Sequence, residues 1–109
     1  MRGEAIAKAY VSKHCCIRHC NWVSSRKEID IVAEKNGCIY FIEVKTRASN
    51  RFGWPEAAVD HRKQDHIQAV AADYLEYFQL YPSAIRFDII AITFQDDGSY
   101  ELMHFKDVF

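Results

Sequence analysis

Asp30, Glu43 and Lys45 are the residues of this chain whose types and spacing could do metal-assisted chemistry: Glu43 follows Asp30 after twelve residues, and Lys45 stands two further on. Between them lies Asn36-Gly37, flanked by the apolar, β-branched runs Glu28-Ile-Asp-Ile-Val-Ala33 and Cys38-Ile-Tyr-Phe-Ile-Glu-Val-Lys45. That is the strongest short-range signal for a two-residue hairpin turn. A turn at Asn36-Gly37 sets Lys35 opposite Cys38, which brings Asp30 opposite Glu43 and Glu28 opposite Lys45. Side chains alternate along a strand, so these four share one face, while Ile29, Ile31, Tyr40, Ile42 and Val44 form a core-like opposite face. Directly opposed residues have Cβ atoms about 4.5–5.5 Å apart, and like charges placed that way destabilise the pair. A bound divalent cation is the natural compensation. Mg²⁺ takes near-octahedral oxygen ligands, often one or two carboxylates completed by water and phosphate. Asp30 and Glu43 would supply the carboxylates and the Val44 carbonyl a third oxygen. Lys45, on the same face, could position the attacking water or neutralise charge in the transition state.

Elements that could position these residues are legible on both sides. The stretch from Gly3 to His14 predicts a short helix with Ala5, Ile6, Ala9 and Tyr10 as its apolar stripe and Glu4 in its first turn. A strand is expected around Cys16 to Val23, with Ser24-Ser25-Arg26 leading into the hairpin. Ala48 to Trp54 reads as a polar loop, and Pro55 suits the first turn of a helix. Val59, Ile67, Val70, Ala71, Tyr74, Leu75 and Phe78 then recur at helical spacing as far as Gln79, with Pro82 marking the exit. Phe87 to Phe94 reads as a strand, Asp97-Gly98 as a second turn and Tyr100 to Phe105 as a last strand. The order αβββαββ, with a strand–helix–strand crossover after a meander, predicts an α/β fold: a mixed sheet flanked by helices.

Composition narrows the function classes. The chain has 109 residues, half of them hydrophobic and only four glycines and two prolines, as expected of a single globular domain spanning 1–109. Its longest apolar run, Cys38 to Ile42, falls far short of the roughly 20 residues of a membrane helix, and no leader pattern is apparent. A cytoplasmic protein with reduced cysteines is therefore expected. The net charge of −1 and pI near 6.5 are not those of a uniformly basic DNA binder, but the charge is unevenly spread. Lys45, Arg47, Arg51, Arg62 and Lys63 stand against only Glu56 and Asp60 between positions 45 and 63, and Arg2, Lys8, Lys13 and Arg18 stand against Glu4 alone near the start. A basic rim around an acidic pocket draws phosphate in and lets it reach carboxylates through a cation.

The spacing of Asp30 and Glu43-Val44-Lys45 resembles the PD-(D/E)xK nuclease superfamily, although no proline precedes Asp30. More narrowly, the chain resembles the YraN family of small bacterial proteins from end to end. The matching residues are Gly3-Glu4, Glu28-Ile-Asp-Ile-Val-Ala33, Phe41-Ile-Glu-Val-Lys-Thr-Arg47, Pro55-Glu-Ala-Ala-Val59, Lys63-Gln64, Ala72-Asp-Tyr-Leu75, Arg86-Phe-Asp88 and Asp107-Val-Phe109. Lys27 departs from the glycine more usual there. The resemblance implies a restriction-endonuclease-like core, similar to archaeal Holliday junction resolvases, and hydrolysis of DNA phosphodiesters with Mg²⁺ or Mn²⁺. Branched DNA or ends would be the substrates, in recombination, repair or processing. It assigns catalysis to Asp30, Glu43 and Lys45, matches Glu4 to a helical glutamate at the metal site, and leaves Arg47, Arg51, Arg62 and Lys63 as candidate nucleic-acid contacts.

Blander readings stand beside these. Asp30 and Glu43 could be solvated at a strand end with Glu28 and Lys45 as a surface ion pair, and Lys63 and Arg47 could be plain surface charges. Arg86 and Asp88 flank Phe87 on one strand face, which favours a structural role. The cluster His14-Cys15-Cys16-Ile-Arg-His19-Cys20 holds zinc-ligand types without knuckle spacing, so buried thiols are the expectation and a zinc-stabilised interaction module the alternative. His61 and His66 make a poor metal pair, and His104 is alone in the sequence. A catalytically silent nucleic-acid- or partner-binding protein on the same fold is the main competitor to the nuclease. Phe105 and Phe109, with Tyr77 and Tyr81, could support a homodimer.

Overall fold

The computed structural model describes residues 2–25, 27–48 and 61–109, with the backbone alone for 61–63. The elements are α1 (Arg2–Ser12), β1 (Cys16–Ser24), β2 (Lys27–Lys35), β3 (Cys38–Ala48), α2 (His61–Tyr77), β4 (Ala84–Phe94) and β5 (Tyr100–Phe105). This is the αβββαββ order that the sequence predicts. The loop expected at Ala48–Trp54 and the helix start at Pro55 lie outside the described residues, apart from Ala48, which ends β3.

The sheet runs β1-β2-β3-β4-β5. Only β3 and β4 are parallel, paired from Cys38↔Ala84 to Ala48↔Phe94. A parallel pair cannot be closed by a tight turn, and α2 makes the crossover. The result is a five-stranded mixed α/β sheet, compatible with a restriction-endonuclease-like core. The hairpin register is the expected one: Lys35↔Cys38, Glu34↔Ile39, Ala33↔Tyr40, Val32↔Phe41 and Ile31↔Ile42. Asn36 and Gly37 have φ of 52° and 82°, so both sit in the left-handed region that a type I′ turn demands.

Both faces of the sheet are covered. On one, Val32, Ile39, Phe41 and Phe87 pack with Val70, Ala71 and Tyr74 of α2. On the other, Ile31, Ala33, Ile42, Ile90 and Ile92 pack with Ala7 and Val11 of α1. The helices repeat their apolar residues accordingly: Gly3, Ala7 and Val11 at every fourth position, and Ile67, Val70, Ala71, Tyr74, Leu75 and Phe78 at the three-and-four spacing of a buried stripe. Full burial of each large side chain is worth roughly 1.5–3 kcal/mol. Three expectations are corrected here. The buried stripe of α1 is Gly3, Ala7 and Val11 with Ile6 and Tyr10 packed beside it, while Ala5 and Ala9 of the expected stripe are exposed. Ile29 joins the α2 side and Ile31 the α1 side, so the alternation breaks at Asp30 and there is no single core-like face. Phe109 folds back onto Phe87, with ring centroids 5.5 Å apart, and belongs to the core instead of an exposed dimer surface. Tyr77 and Tyr81 are exposed, as expected. No helix among the described residues is long and apolar enough to cross a membrane.

Two local devices fix α2. The register of β1 on β2 shifts between Ile17 and His19. A bulge of this kind re-aims neighbouring side chains, and the consecutive residues Arg18 and His19 both reach the buried Tyr74 hydroxyl. Arg18 Nε donates to it at 2.9 Å, and the His19 ring Nδ1 lies 2.6 Å away. At the helix exit, Leu80 N–H bonds the Leu75 carbonyl at 2.9 Å and Gln79 N–H bonds the Glu76 carbonyl at 3.1 Å, with Gln79 at φ 51°. This is a Schellman cap whose left-handed position, usually glycine, carries a Cβ. Gln79→Gly should therefore stabilise the fold by roughly 0.5–1 kcal/mol, seen as a raised midpoint in thermal or urea unfolding; an unchanged or lower midpoint would contradict this account of the cap.

Candidate metal centre

The β2–β3 ladder ends at Ile31↔Ile42, and Asp30 is the first residue beyond it. The expected direct opposition of Asp30 and Glu43 is therefore replaced by a different contact: Val44 N–H donates to Asp30 Oδ2 at 2.7 Å. The side-chain carboxylate takes the amide that a continuing ladder would have given to a β2 carbonyl. Opposite, in β1, Cys20 pairs with Ile31 and Trp22 with Ile29, with Asn21 between them at φ 54°. The break in alternation thus runs across both strands and turns Asp30 towards the end of β3. Where the sequence put forward the Val44 carbonyl, the Val44 group seen to touch Asp30 is its amide.

Burial is the first cause that raises the Asp30 carboxyl. The Val44 amide opposes it, while the charges of Glu4, Glu43 and Glu28 add to it, leaving Asp30 at about 6. Glu4, in the first turn of α1, is thereby within electrostatic reach of Asp30. Lys45 Nζ pairs with Glu43 Oε1 at 2.8 Å, so the lysine's ion pair is with Glu43, not with Glu28, which is exposed. Asp30, Glu43 and Glu28 line one crevice, walled by Phe41, Ile67 and Phe109, of about 10 Å³. That is the room of about one water molecule. Among the described residues no three His, Cys, Asp or Glu side chains form a ready-made cation cage. A hard cation at Asp30 and Glu43 would complete its shell from water and phosphate, as Mg²⁺ ordinarily does.

Of the candidate nucleic-acid contacts, Arg47 is half-buried on β3. Arg62 and Lys63 fall in the first turn of α2, with side chains outside the described residues, as is all of Arg51. In the Cys/His cluster, His19 stacks on Phe78 at 4.7 Å between ring centroids, while Cys15 packs on the α1 side. The cluster is thus split between the two faces of the sheet, and all four cysteines are free thiols; the expected burial is not seen, for Cys16 is exposed and Cys15, Cys20 and Cys38 are only half-buried.

A second polar centre escaped the sequence reading, in which His104 stood alone. Asp88, 2% exposed, accepts Arg86 Nε and Nη2, both at 2.9 Å, and the Asp107 N–H at 3.0 Å. His104 Nε2 lies 2.6 Å from its Oδ2, and His104 Nδ1 lies 2.9 Å from the Tyr10 hydroxyl. Burial alone would raise Asp88, but the bonds from His104, Arg86 and Asp107 outweigh it and hold the carboxyl at about 2. Ionised Asp88 is acceptor-only, so His104 Nε2–H donates to it. The role favoured for Arg86 and Asp88 from sequence is thus structural, and the pairing Ile90↔His104 across β4 and β5 is the signal that only the fold supplies.

Comparison with known proteins gives the family. The model of the uncharacterised protein family UPF0102, that of YraN, matches residues 3–92. A UPF0102 protein of Chlorobium phaeobacteroides is 44% identical over 100% of this chain and 91% of its own length. One of Bacteroides thetaiotaomicron is 39% identical over 98% of this chain and 88% of its own, and one of Clostridium perfringens is 44% identical over 98% and 89%.

The two carboxyls give opposite pH signatures. Asp30 titrates at about 6 in the fold against about 3.9 when unfolded. Between those values the folded state binds more protons, so stability falls as pH rises from about 4 to 6. Asp88, at about 2, stabilises the fold above about pH 4, and that contribution is lost as pH falls towards 2. Melting curves across this range should show both limbs. Asp30→Asn should remove the upper limb and raise the melting temperature at pH 7. Asp88→Asn should remove the lower limb and cost about 1–3 kcal/mol by depriving Arg86 and His104 of their charged acceptor.

Proposed function

We propose, for a chain that belongs to the uncharacterised protein family UPF0102, a metal-dependent nuclease that hydrolyses DNA phosphodiester bonds at branches or ends. The carrying observation is Asp30: a half-buried carboxylate, fixed by the Val44 amide and surrounded by the charges of Glu4, Glu43 and Glu28. A carboxylate kept in such a place at a cost to folding is what a ligand site looks like, because opposite charge brought by a cation would relieve it. Asp30 and Glu43 fit Mg²⁺ or Mn²⁺ in charge and in hard oxygen donors, with Glu4 near enough to join through water. When bound, such an ion lowers the pKa of its water and offsets charge developing on phosphate.

The chain's own groups supply the rest. The Val44 amide and the strand hold Asp30 in one position, so no reorganisation is needed when substrate arrives. Lys45, paired with Glu43, carries a positive charge beside the carboxylates, where it would orient water and stabilise a phosphorane-like charge. Arg47, Arg51, Arg62 and Lys63 are, by sequence, the candidates for holding the DNA backbone. Among the described residues one sheet and two helices offer few elements for base readout, which favours structure over sequence as the feature recognised. The cytoplasm is the compartment that such a role requires.

Calorimetric titration of Mn²⁺ into the protein, run beside cleavage assays on branched, flapped and linear DNA, tests this reading. Wild type should bind and cut; Asp30→Ala should lose both, and Lys45→Ala should retain the ion while cutting about 10²–10³-fold more slowly. Binding and cleavage that survive Asp30→Ala, or the absence of cleavage on every substrate with Mn²⁺ bound, would exclude it.

A further inference from the structure

A second site lies on the α1 side of the sheet. Tyr10 at the C-terminal half of α1, Tyr40 of β3, Arg86 of β4 and His104 of β5 enclose a cleft of about 380 Å³, with Lys35 and Lys106 at its mouth. That is within the range of roughly 300–1,000 Å³ typical of small-molecule sites. The cleft adjoins the crevice at Asp30, sharing Ile42 and Asp88 with it, but Asp30, Glu28 and Glu43 do not line it.

Its walls are of two kinds. Tyr10 and Tyr40 present aromatic surface, and the Arg86 guanidinium lies 4.5 Å from the Tyr40 ring centroid, which fixes both groups. The Tyr10 ring is held edge-on to His104, centroids 5.4 Å apart, and its hydroxyl is tied to His104 Nδ1. The charge is one-sided. The carboxylate lining the cleft, Asp88, is saturated by Arg86, His104 and the Asp107 amide. Lys35 and Lys106 are exposed, and among the described residues neither has an acidic side chain within ion-pair distance. Two unneutralised ammonium groups beside a rigid aromatic floor suit a ligand that carries both a phosphomonoester and a planar ring.

We propose that this cleft is a nucleotide-binding site, taking a phosphomonoester at Lys35 and Lys106 and a base against Tyr10 and Tyr40. The ligand is either a free mononucleotide or the 5′-phosphorylated end of a strand, which share that chemistry. The site stands on its own residues and does not depend on metal-dependent cleavage at Asp30.

Calorimetric titrations in EDTA, without divalent metal, test it with dTMP, thymidine, inorganic phosphate, and short oligothymidylates bearing a 5′-phosphate or a 5′-hydroxyl. dTMP should bind at least tenfold more tightly than thymidine and than inorganic phosphate. The double variant Lys35→Ala/Lys106→Ala, altered only at exposed positions, should weaken dTMP at least tenfold with its melting temperature unchanged, and Asp30→Ala should bind dTMP as wild type does. A phosphorylated oligonucleotide that binds at least tenfold more tightly than dTMP and than its 5′-hydroxyl counterpart identifies the strand end as the ligand; equal or weaker binding identifies the free nucleotide. No dTMP binding, thymidine or inorganic phosphate bound as well as dTMP, indifference to the double variant, or loss on Asp30→Ala would each overturn the assignment. Failure of cleavage at Asp30 leaves these titrations unaffected, so the two readings fail separately.

Discussion

A carboxylate placed on the inner strands of a sheet that is covered on both faces has little water to turn to, and must be compensated by the protein or by something the protein binds. α1 covers one face and α2 the other, and Asp30, Glu43 and Asp88 all lie on β2, β3 and β4 between them. How each is compensated decides what each can do. The cost of leaving such a charge unmet is several kcal/mol, comparable with the stability of a whole small domain.

Asp88 is met in full. A bidentate arginine, a histidine and a backbone amide close around it, and through His104 the network reaches Tyr10 on α1. One carboxylate thereby joins β4, β5, the chain's end and the first helix, and its ionised form favours the fold. Among the described residues Asp30 is met only by the Val44 amide, and it stands among other acids, so its ionised form works against the fold. Two aspartates on one sheet are thus shifted in opposite directions, one by its partners and one by burial among other acids. The saturated Asp88 also leaves the lysines at the neighbouring cleft without an acidic partner among the described residues, which gives that cleft its one-sided electrostatic character.

The elements were legible because their signals are local. Asn36-Gly37 can meet the positive φ of a type I′ turn with little strain, so the register from Lys35↔Cys38 to Ile31↔Ile42 followed directly. The helical stripe from Ile67 to Phe78 and the strand from Tyr100 to Phe105 came from periodicity of the same kind. The expected register holds as far as Ile31↔Ile42 and fails for the three pairs beyond it, Asp30 with Glu43, Ile29 with Val44 and Glu28 with Lys45. Strict alternation stops at Asp30, where Asn21 of the neighbouring strand adopts a left-handed conformation and the ladder to β3 ends. Nothing in the β2 sequence announces that break, because it is imposed by pairing with β1. Likewise Phe109 read only as an aromatic that could support a dimer, since its packing on Phe87 is a contact across 22 positions of chain.

By itself, then, the sequence determined the order of elements, the hairpin that carries Asp30, Glu43 and Lys45, and the family, for these depend on turn chemistry, side-chain period and ordered motifs along the chain. Tertiary structure decided which acids keep their charge comfortably and which do not. That depends on what comes to lie beside each carboxyl: Val44 and Glu4 beside Asp30, Lys45 turned to Glu43 in place of Glu28, and Arg86, His104 and Asp107 around Asp88. A residue's type is written in the chain, but its electrostatic surroundings are assembled from segments far apart in it, and they exist only once the sheet has closed.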